Sequence, residues 1–374
     1  MLRPTLVLLA LAIAPLPLVA QGTFANQGFG YPFGQLSTRA LSTGGAVVEF
    51  DARSPRNPAA IGGSGRILFL QYEPEYRRVT GEGIDVAQRF IRYPLIGGVL
   101  PIGSRLAIGF TTSTLLDRTG QSIEQRTEII AGEPVTYEEI VRSDGAMNDL
   151  RFAASYALTS SLDVGAALHA ITGEHRQLLS RRFMTPGFDS LGFRTRASFS
   201  GLAFSGGLWW RPARGVTVAG SGRLGREIEA FIDDTARGTA EVPHRVGIGI
   251  GIDRISGLSL AANAAWEGWS SFDGLGSGQV NSHDVREYGV GAEIAGPTLF
   301  GTMIPLRVGA RWRGLPFSPD GDQVMETSIG GGIAIPLLAG LSAIELGVQH
   351  SRRSNDLPFR ERSLLFSLAM TISP

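Results

Sequence analysis

Cysteine and lysine are both missing from the 374 residues. Without thiols the chain can build neither a disulfide framework nor a thiolate metal site. All 34 basic residues are therefore arginine, whose flat, permanently charged fork suits buried ion pairs. No charge excess exists either: 34 acidic residues offset the basic ones, so nothing electrostatic points to nucleic acid as a partner. Long apolar runs are absent too. None reaches the roughly 18 residues that a membrane-spanning helix needs, and the one over Leu6–Leu18 is broken by Pro15 and Pro17.

That run follows Arg3 and ends in small residues near Ala20, the pattern of a secretory signal over 1–20. The rest reads as one architecture, because nothing in it resembles a linker. What is plentiful is glycine, 50 residues, falling inside alternating segments rather than in a low-complexity tract. In a soluble sheet so many glycines would weaken the strands. In a barrel they permit bending and the close approach of a plug.

Beyond residue 65 the apolar side chains recur with period two. Leu364, Phe366, Leu368, Met370 and Ile372 alternate with Ser363, Ser367, Ala369 and Thr371; Leu306, Val308, Ala310 and Trp312 alternate with Arg307, Gly309, Arg311 and Arg313. One face suits hydrocarbon and the other water. The pattern predicts about fourteen strands, longer than the ~5–6 residues usual in soluble sheets. They fall near 65–79, 86–100, 104–117, 147–159, 161–180, 191–212, 215–229, 241–254, 257–270, 284–296, 303–315, 323–337, 340–352 and 361–373. Tight connections alternate with longer polar ones at 118–146, 181–190, 230–240, 271–283, 316–322 and 353–360, the asymmetry of periplasmic turns and external loops. Lipid offers no partners to backbone amides and carbonyls, so such a sheet must close on itself. The expected fold is all-β: a transmembrane antiparallel barrel over 65–374 in the cell outer membrane, with residues 21–64 in its lumen as an N-terminal hatch. Trp209, Trp210, Trp266, Trp269 and Trp312 fall near predicted strand ends, where an aromatic girdle belongs.

In this register Arg151, Arg223, Arg245, Arg307, Arg311 and Arg313 project inward with Glu293, Glu326 and Glu345. A slip by one residue would turn each arginine to lipid, at about 2–4 kcal/mol near the midplane. The group reads as an ion-pair lattice holding the hatch, or as the receptor of a substrate carboxylate. Phe183, Met184, Phe188, Phe231 and Ile232 in external loops, with Phe29, Tyr31 and Phe33 in the hatch, are apolar residues in wet segments. A capture groove for an apolar ligand explains them, and so does packing of loops on the hatch. Tyr93, Pro94, Gly97 and Gly98 interrupt a strand and mark a place for a lateral gap, since proline lacks the ladder donor and glycine tolerates a bulge.

Gly220, Gly222 and Gly225 have a nucleotide-type spacing, but no helix follows to face a phosphate. His169, His175, His244, His283 and His350 show no metal spacing, so neither metal nor cofactor is expected and the chain reads as a non-enzyme. A hydrolase is the third reading. It requires a serine or aspartate within hydrogen-bond reach of one of these histidines, because such groups need only meet in space.

The stretch Glu241 to Gly249, the strand Leu258 to Ala265 and the ending Trp266 to Gly274, with its Trp-Ser-Ser-Phe, resemble the FadL-type outer-membrane long-chain fatty-acid transporters. Asn57, Pro58 and Ala59 resemble that family's hatch motif, and Pro305 to Gly309 its Leu-Arg-Xaa-Gly strand. Two departures are Ala60, where a glycine usually follows the hatch motif, and Pro374 in place of a terminal aromatic. The resemblance implies a fourteen-strand barrel with a hatch, hydrophobic ligands captured at external loops and released sideways, and hence passive uptake of fatty acids or other hydrophobic small molecules by a monomer in outer-membrane lipid. The second reading is a structural or secretion-partner barrel, like relatives in type IX secretion, bound to an envelope protein.

Overall fold

The computed structural model describes residues 28–33, 35–81, 84–130, 132–184, 186–275, 281–299, 302–318, 321–337 and 341–373. The expected signal over 1–20 and the terminal Pro374 lie outside the described residues. Fourteen antiparallel strands form one closed ring. They are β1 (Ile67–Gly81), β2 (Ile84–Ile102), β3 (Leu106–Asp117), β4 (Glu133–Ala157), β5 (Leu162–Phe183), β6 (Leu191–Ala213) and β7 (Val216–Ile232). Then follow β8 (Arg245–Ile255), β9 (Leu258–Glu267), β10 (Val285–Leu299), β11 (Thr302–Gly314), β12 (Met325–Leu337), β13 (Ser342–Ser354) and β14 (Arg360–Ile372). Each pairs with its sequence neighbours, and β14 returns to β1 through pairs such as Leu68 with Ile372. Closure leaves no sheet edge in lipid, the condition a spanning sheet must meet.

Burial follows the two-residue period. On β14 Leu364, Phe366, Leu368 and Met370 are exposed outward while Ser363, Ser367 and Thr371 are buried inside. On β11 Leu306, Val308 and Trp312 face out and Arg307, Arg311 and Arg313 face in. A greasy band therefore girds a polar interior. Among the described residues no helix is long and apolar enough to cross a membrane.

Two expected external loops are instead strands. Residues 118–146 contain Gly120–Ile130, paired in a hairpin with the outer half of β4, and residues 230–240 hold all but the last residue of Thr235–Glu241, paired with β7. Past the lipid both faces meet water, so the apolar contrast that reveals a strand fades while backbone pairing continues. Phe231 and Ile232 consequently end a strand, at a two-residue turn whose Asp233 and Asp234 both have left-handed φ. The expected tryptophan girdle also needs correction. Trp210, Trp266 and Trp312 face outward, but Trp269 is fully buried and the Trp209 ring lies over Gly63 of the N-terminal segment.

Residues 28–64 precede the ring and lie inside it. A short helix, Thr38–Ser42, is capped by Ser37, whose hydroxyl accepts from the Ala40 amide. A 3-10 turn, Pro58–Gly63, is capped in the same way by Asn57. The segment reaches every strand. Thr38 meets Gln71 of β1 and Ser367 of β14, Phe33 lies under Arg92 of β2, and Tyr31 pairs with Asp117 of β3. Ala59 accepts from Ser155 of β4 and passes Gly165 of β5; Asn57 bonds Leu208 of β6. Glu49 binds Ser221 of β7 and Arg245 of β8, Arg56 binds Glu267 of β9, and Arg39 binds Glu293 of β10. The Pro32 carbonyl accepts from Arg313 of β11, Tyr31 from the same segment donates to Glu326 of β12, and Ser42 lies against Gly347 of β13. A segment that touches all fourteen staves of a closed ring can only be within it.

The glycine abundance is used here. Gly291 of β10, Gly309 of β11 and Gly330 of β12 are direct cross-strand neighbours, and a Cβ on any of them would collide with the backbone of residues 41–44. Side chains at these positions would hold the segment off the wall.

Candidate functional site

Among the described residues the ladder between β2 and β3 is broken over part of its length. From Leu95 to Ile102, β2 pairs with β3 (Leu95 with Ser113, Ile102 with Leu106), but residues 84–94 make no ladder with β3. The break begins at Pro94, which has no amide to give, and β2 also shifts register against β1 between Gln71 and Glu73. Ile91 and Tyr93 stand exposed on its outer side. Gly97 and Gly98, expected to belong to the gap, are instead paired on both edges. Their missing side chains thin the wall below the break, where Leu68, Ile96, Phe110 and Phe152 border an outward apolar groove of ≈ 1120 Å³.

Inside the break lies a chamber-like cluster of buried apolar side chains. Leu115 and Leu116, on the part of β3 that β2 leaves, join Met147, Ile171, Phe199 and Ile228 from β4–β7. The Trp269–Leu275 turn folds in from between β9 and β10 and adds Trp269 and Phe272, with Phe317 beside them. Phe29 of the N-terminal segment stands among these rings, 5.6 Å from both Phe272 and Phe317 and 6.4 Å from Phe199. One polar group looks into the chamber: His175, 5.0 Å from Phe199, with no partner on either ring nitrogen.

Two residues beyond Phe29 the chain stops the break. Tyr31 and Asp117 exchange both backbone hydrogen bonds, at 2.8 and 2.9 Å, so the N-terminal segment occupies the edge of β3 that β2 leaves. Gly30, at φ +114, makes the approach possible, since a Cβ there would lie 2.5 Å from the Asp117 carbonyl oxygen. Arg92 of β2 reaches across the break to the Asp117 carboxylate and holds Glu75 at 2.8 Å. The Tyr31 side chain is clamped harder. Its hydroxyl donates to Glu326 at 2.6 Å and accepts from Arg313, while Arg353, Arg313 and Arg77 stand 4.4, 4.8 and 5.2 Å from the ring centre. Burial pushes the phenol up, and the nearby Arg313 and Arg353 offset part of that rise.

The remaining inward charges tie the segment to the wall. Arg307 binds Glu293 at 2.7 Å and Glu345 at 3.1 Å, and these acids also hold Arg39 and Arg53 of the segment. Arg245 holds Glu49 at 2.6 Å, and Arg311 holds Glu287. Within the segment, burial alone would raise the Asp51 carboxyl, but Arg53, Arg39 and the Ser37 hydroxyl bring it down to about 2. Arg151, also placed inward, has no partner on Nε or one terminal nitrogen.

The aromatic residues singled out in the sequence fall into separate places. Phe29 is in the chamber, while Tyr31 and Phe33 are enclosed by arginines. Phe183 packs on Tyr137 and Phe188, 5.5 Å from each, at the far end of the β4–β5 pairing from its turn, with the exposed Met184 beside it. Phe231 and Ile232 are half-buried at the end of β7. Sequence reading passed over Leu115, Leu116, Phe199, Phe272 and Phe317; only the Trp-Ser-Ser-Phe spelling around Phe272 carried a local signal.

Asn57 anchors the far end of the segment. Its amide donates to the carbonyls of Glu49 and Leu208 at 2.9 and 3.0 Å, and its oxygen accepts from Ala59. Asn57→Ala orphans these buried groups, so the barrel should lose about 1–3 kcal/mol, read as a lower urea midpoint in detergent.

No family model matches the sequence, and no curated protein matches it. Solved structures do. A Pseudomonas aeruginosa FadL homologue is similar with a TM-score of 0.58 at 14% identity, over 91% of this chain and 99% of that one. The Ralstonia pickettii toluene transporter TbuX has a TM-score of 0.58 at 15% identity, over 90% and 98% of the two chains. For the Pseudomonas putida toluene transporter TodX the values are 0.56 and 13%, over 91% and 98%. Likeness at such low identity establishes the fold.

Proposed function

We propose that this chain, which has the FadL-type barrel fold, sits in an outer membrane and passes hydrophobic small molecules passively from the chamber out through its wall. The observation that carries the reading is the coincidence of three features: a broken β2–β3 ladder, an apolar chamber directly behind it, and a strap from the lumen pairing across the break. A ligand that parts the rings of Phe29 and Phe272 and seats beside Leu115 would have only the neighbouring strap between it and lipid. Residues 28–64 then act as the hatch, Tyr31 as its bolt. Two of the similar barrels are named as transporters of toluene, a hydrophobic small molecule. No energy source is needed, because partition into lipid drives an apolar solute downhill.

A cysteine pair replacing Tyr31 and Asp117 tests this. The residues form a hydrogen-bonded antiparallel pair, whose Cα atoms are about 5.5 Å apart, within reach of a disulfide. Since the chain has no cysteine of its own, no other thiol competes. Uptake of an apolar tracer by vesicles carrying the oxidised variant should fall to the level of empty vesicles and return on reduction. Equal uptake in both redox states would remove the break as the route.

A further inference from the structure

Below the chamber, on the inward faces of four consecutive strands, lies a group that passage does not require. Among the described residues, His169 of β5 alone has a carboxylate at one ring nitrogen and a hydroxyl at the other. Its Nδ1 lies 2.9 and 3.0 Å from the two oxygens of Asp149 on β4, and its Nε2 lies 2.8 Å from Ser205 Oγ on β6. All three side chains are buried. An ionised carboxylate can only accept, so the ring proton sits on Nδ1 and the Nε2 lone pair faces the serine hydroxyl.

Two arginines with unfilled donors flank this relay. Arg223 of β7 is the direct cross-strand partner of Ser205, and one of its terminal nitrogens has no hydrogen-bond partner. Arg151 of β4 stands directly opposite His169, 1% exposed, with two nitrogens unpartnered. Arg223 Nε donates to the Pro243 carbonyl at 3.1 Å; a buried guanidinium donor left without an acceptor is costly, and charge that develops on a bound group would supply one. Immediately above, on the same strand faces, come Met147, Ile171 and Ala203 of the apolar chamber.

We propose that Ser205, His169 and Asp149 form a serine hydrolase centre for carboxylic esters with a hydrophobic acyl group, which would lie against the chamber while its carbonyl meets Ser205. Ser205 Oγ attacks the carbonyl carbon as its proton passes to His169 Nε2. The carbonyl oxygen becomes an oxyanion facing the free donor of Arg223. The ester C–O bond then breaks, and His169 protonates the departing alcohol. Water attacks the acyl-serine carbon, giving a proton to His169. The acid leaves, and that proton returns to Ser205. The sum is ester plus water to acid plus alcohol. Asp149 is a positioning residue that fixes the ring and its tautomer. Nothing in this proposal depends on how solutes leave the barrel.

The test uses the full-length barrel in detergent micelles, with p-nitrophenyl octanoate as substrate and a tagged alkyl fluorophosphonate as covalent probe. The wild type should hydrolyse the ester and carry the tag on Ser205 by peptide mapping. Ser205→Ala should lose the tag and at least about 1000-fold in kcat/KM. Asp149→Asn should lower kcat by roughly 100- to 10,000-fold with KM little changed, a split that loosened packing would not give. Heat-modifiable migration in gels confirms that each variant keeps its barrel. An untagged, inactive wild type, or tagging and turnover equal in Ser205→Ala, overturns the proposal. Tracer uptake by the wild-type barrel in vesicles is measured in parallel: uptake without hydrolysis sinks the hydrolase centre alone, and hydrolysis without uptake sinks the transport reading alone.

Discussion

Glu326→Ala should destabilise the folded barrel by about 3–5 kcal/mol, the cost of breaking a buried ion pair from one side. Its carboxylate receives Arg313 at 2.7 Å, Arg353 at 2.5 Å and the Tyr31 hydroxyl at 2.6 Å, and every one of these groups is buried. Removing it takes a carboxylate from two buried guanidinium groups and frees the phenol that bolts the hatch. Arg353 keeps Glu361 and Glu75, whereas Arg313 keeps only the Pro32 carbonyl and the phenol oxygen, so the Arg313 side should loosen first. Urea unfolding in micelles reads the loss as a lower midpoint, and tracer uptake should rise in the same variant as the bolt slackens. Ala substitution of Asp85, whose pair with Arg78 lies in open water, should leave the midpoint where it was. Equal midpoints for the Glu326 variant and the wild type would mean that the lattice does not hold the strap.

Gly309→Leu should unseat the hatch while leaving the barrel able to form. A Cβ at Gly309 collides with the Thr43 carbonyl group and the Gly44 amide, which are backbone and cannot rotate aside. Overpacking of this kind costs about 3 kcal/mol, roughly 100-fold in the ratio of seated to unseated hatch. The outward face of β11 is untouched, so the strand still meets lipid through Leu306, Val308 and Trp312. Planar-bilayer recordings should show a conducting pore in the variant and a closed wild type. Gly331→Ala is the control: a Cβ there meets only the Arg307 carbonyl oxygen at 3.5 Å, an ordinary contact, and conductance should not change.

The ring of strands was legible because lipid enforces a strict alternation, and every strand that meets lipid carries it. Residues 118–146 escaped because Gln121, Ser122 and Thr127 offer no apolar stripe once the chain has risen out of hydrocarbon, although the backbone goes on pairing. The inward direction of Arg307, Arg311 and Arg313 was equally readable from the period. Their partners were not, since a long side chain can reach the next strand, the strand beyond or the hatch. Pro94 signalled the break, but not which neighbour would leave; that depends on the strap at Tyr31, far away in sequence. Trp269 shows the limit most plainly. A tryptophan at a strand end fits a girdle, and only the inward fold of the turn after it, with the indole donating to Glu267 at 2.8 Å, places it in the chamber.

The pairing of β14 with β1 joins the two ends of the wall, and it has a bearing on biogenesis. Residues 35–64 lead directly into β1, yet they are tied also to β8, β9, β10 and β14, synthesised last. Once the seam is zipped, the wall itself offers no doorway for a charged strap, which could then come aboard only along the axis of the ring. Stowage before sealing would make the closing pairs between Leu68 and Ile372 at one end and Thr80 and Arg360 at the other the last step, taken around a cargo already aboard.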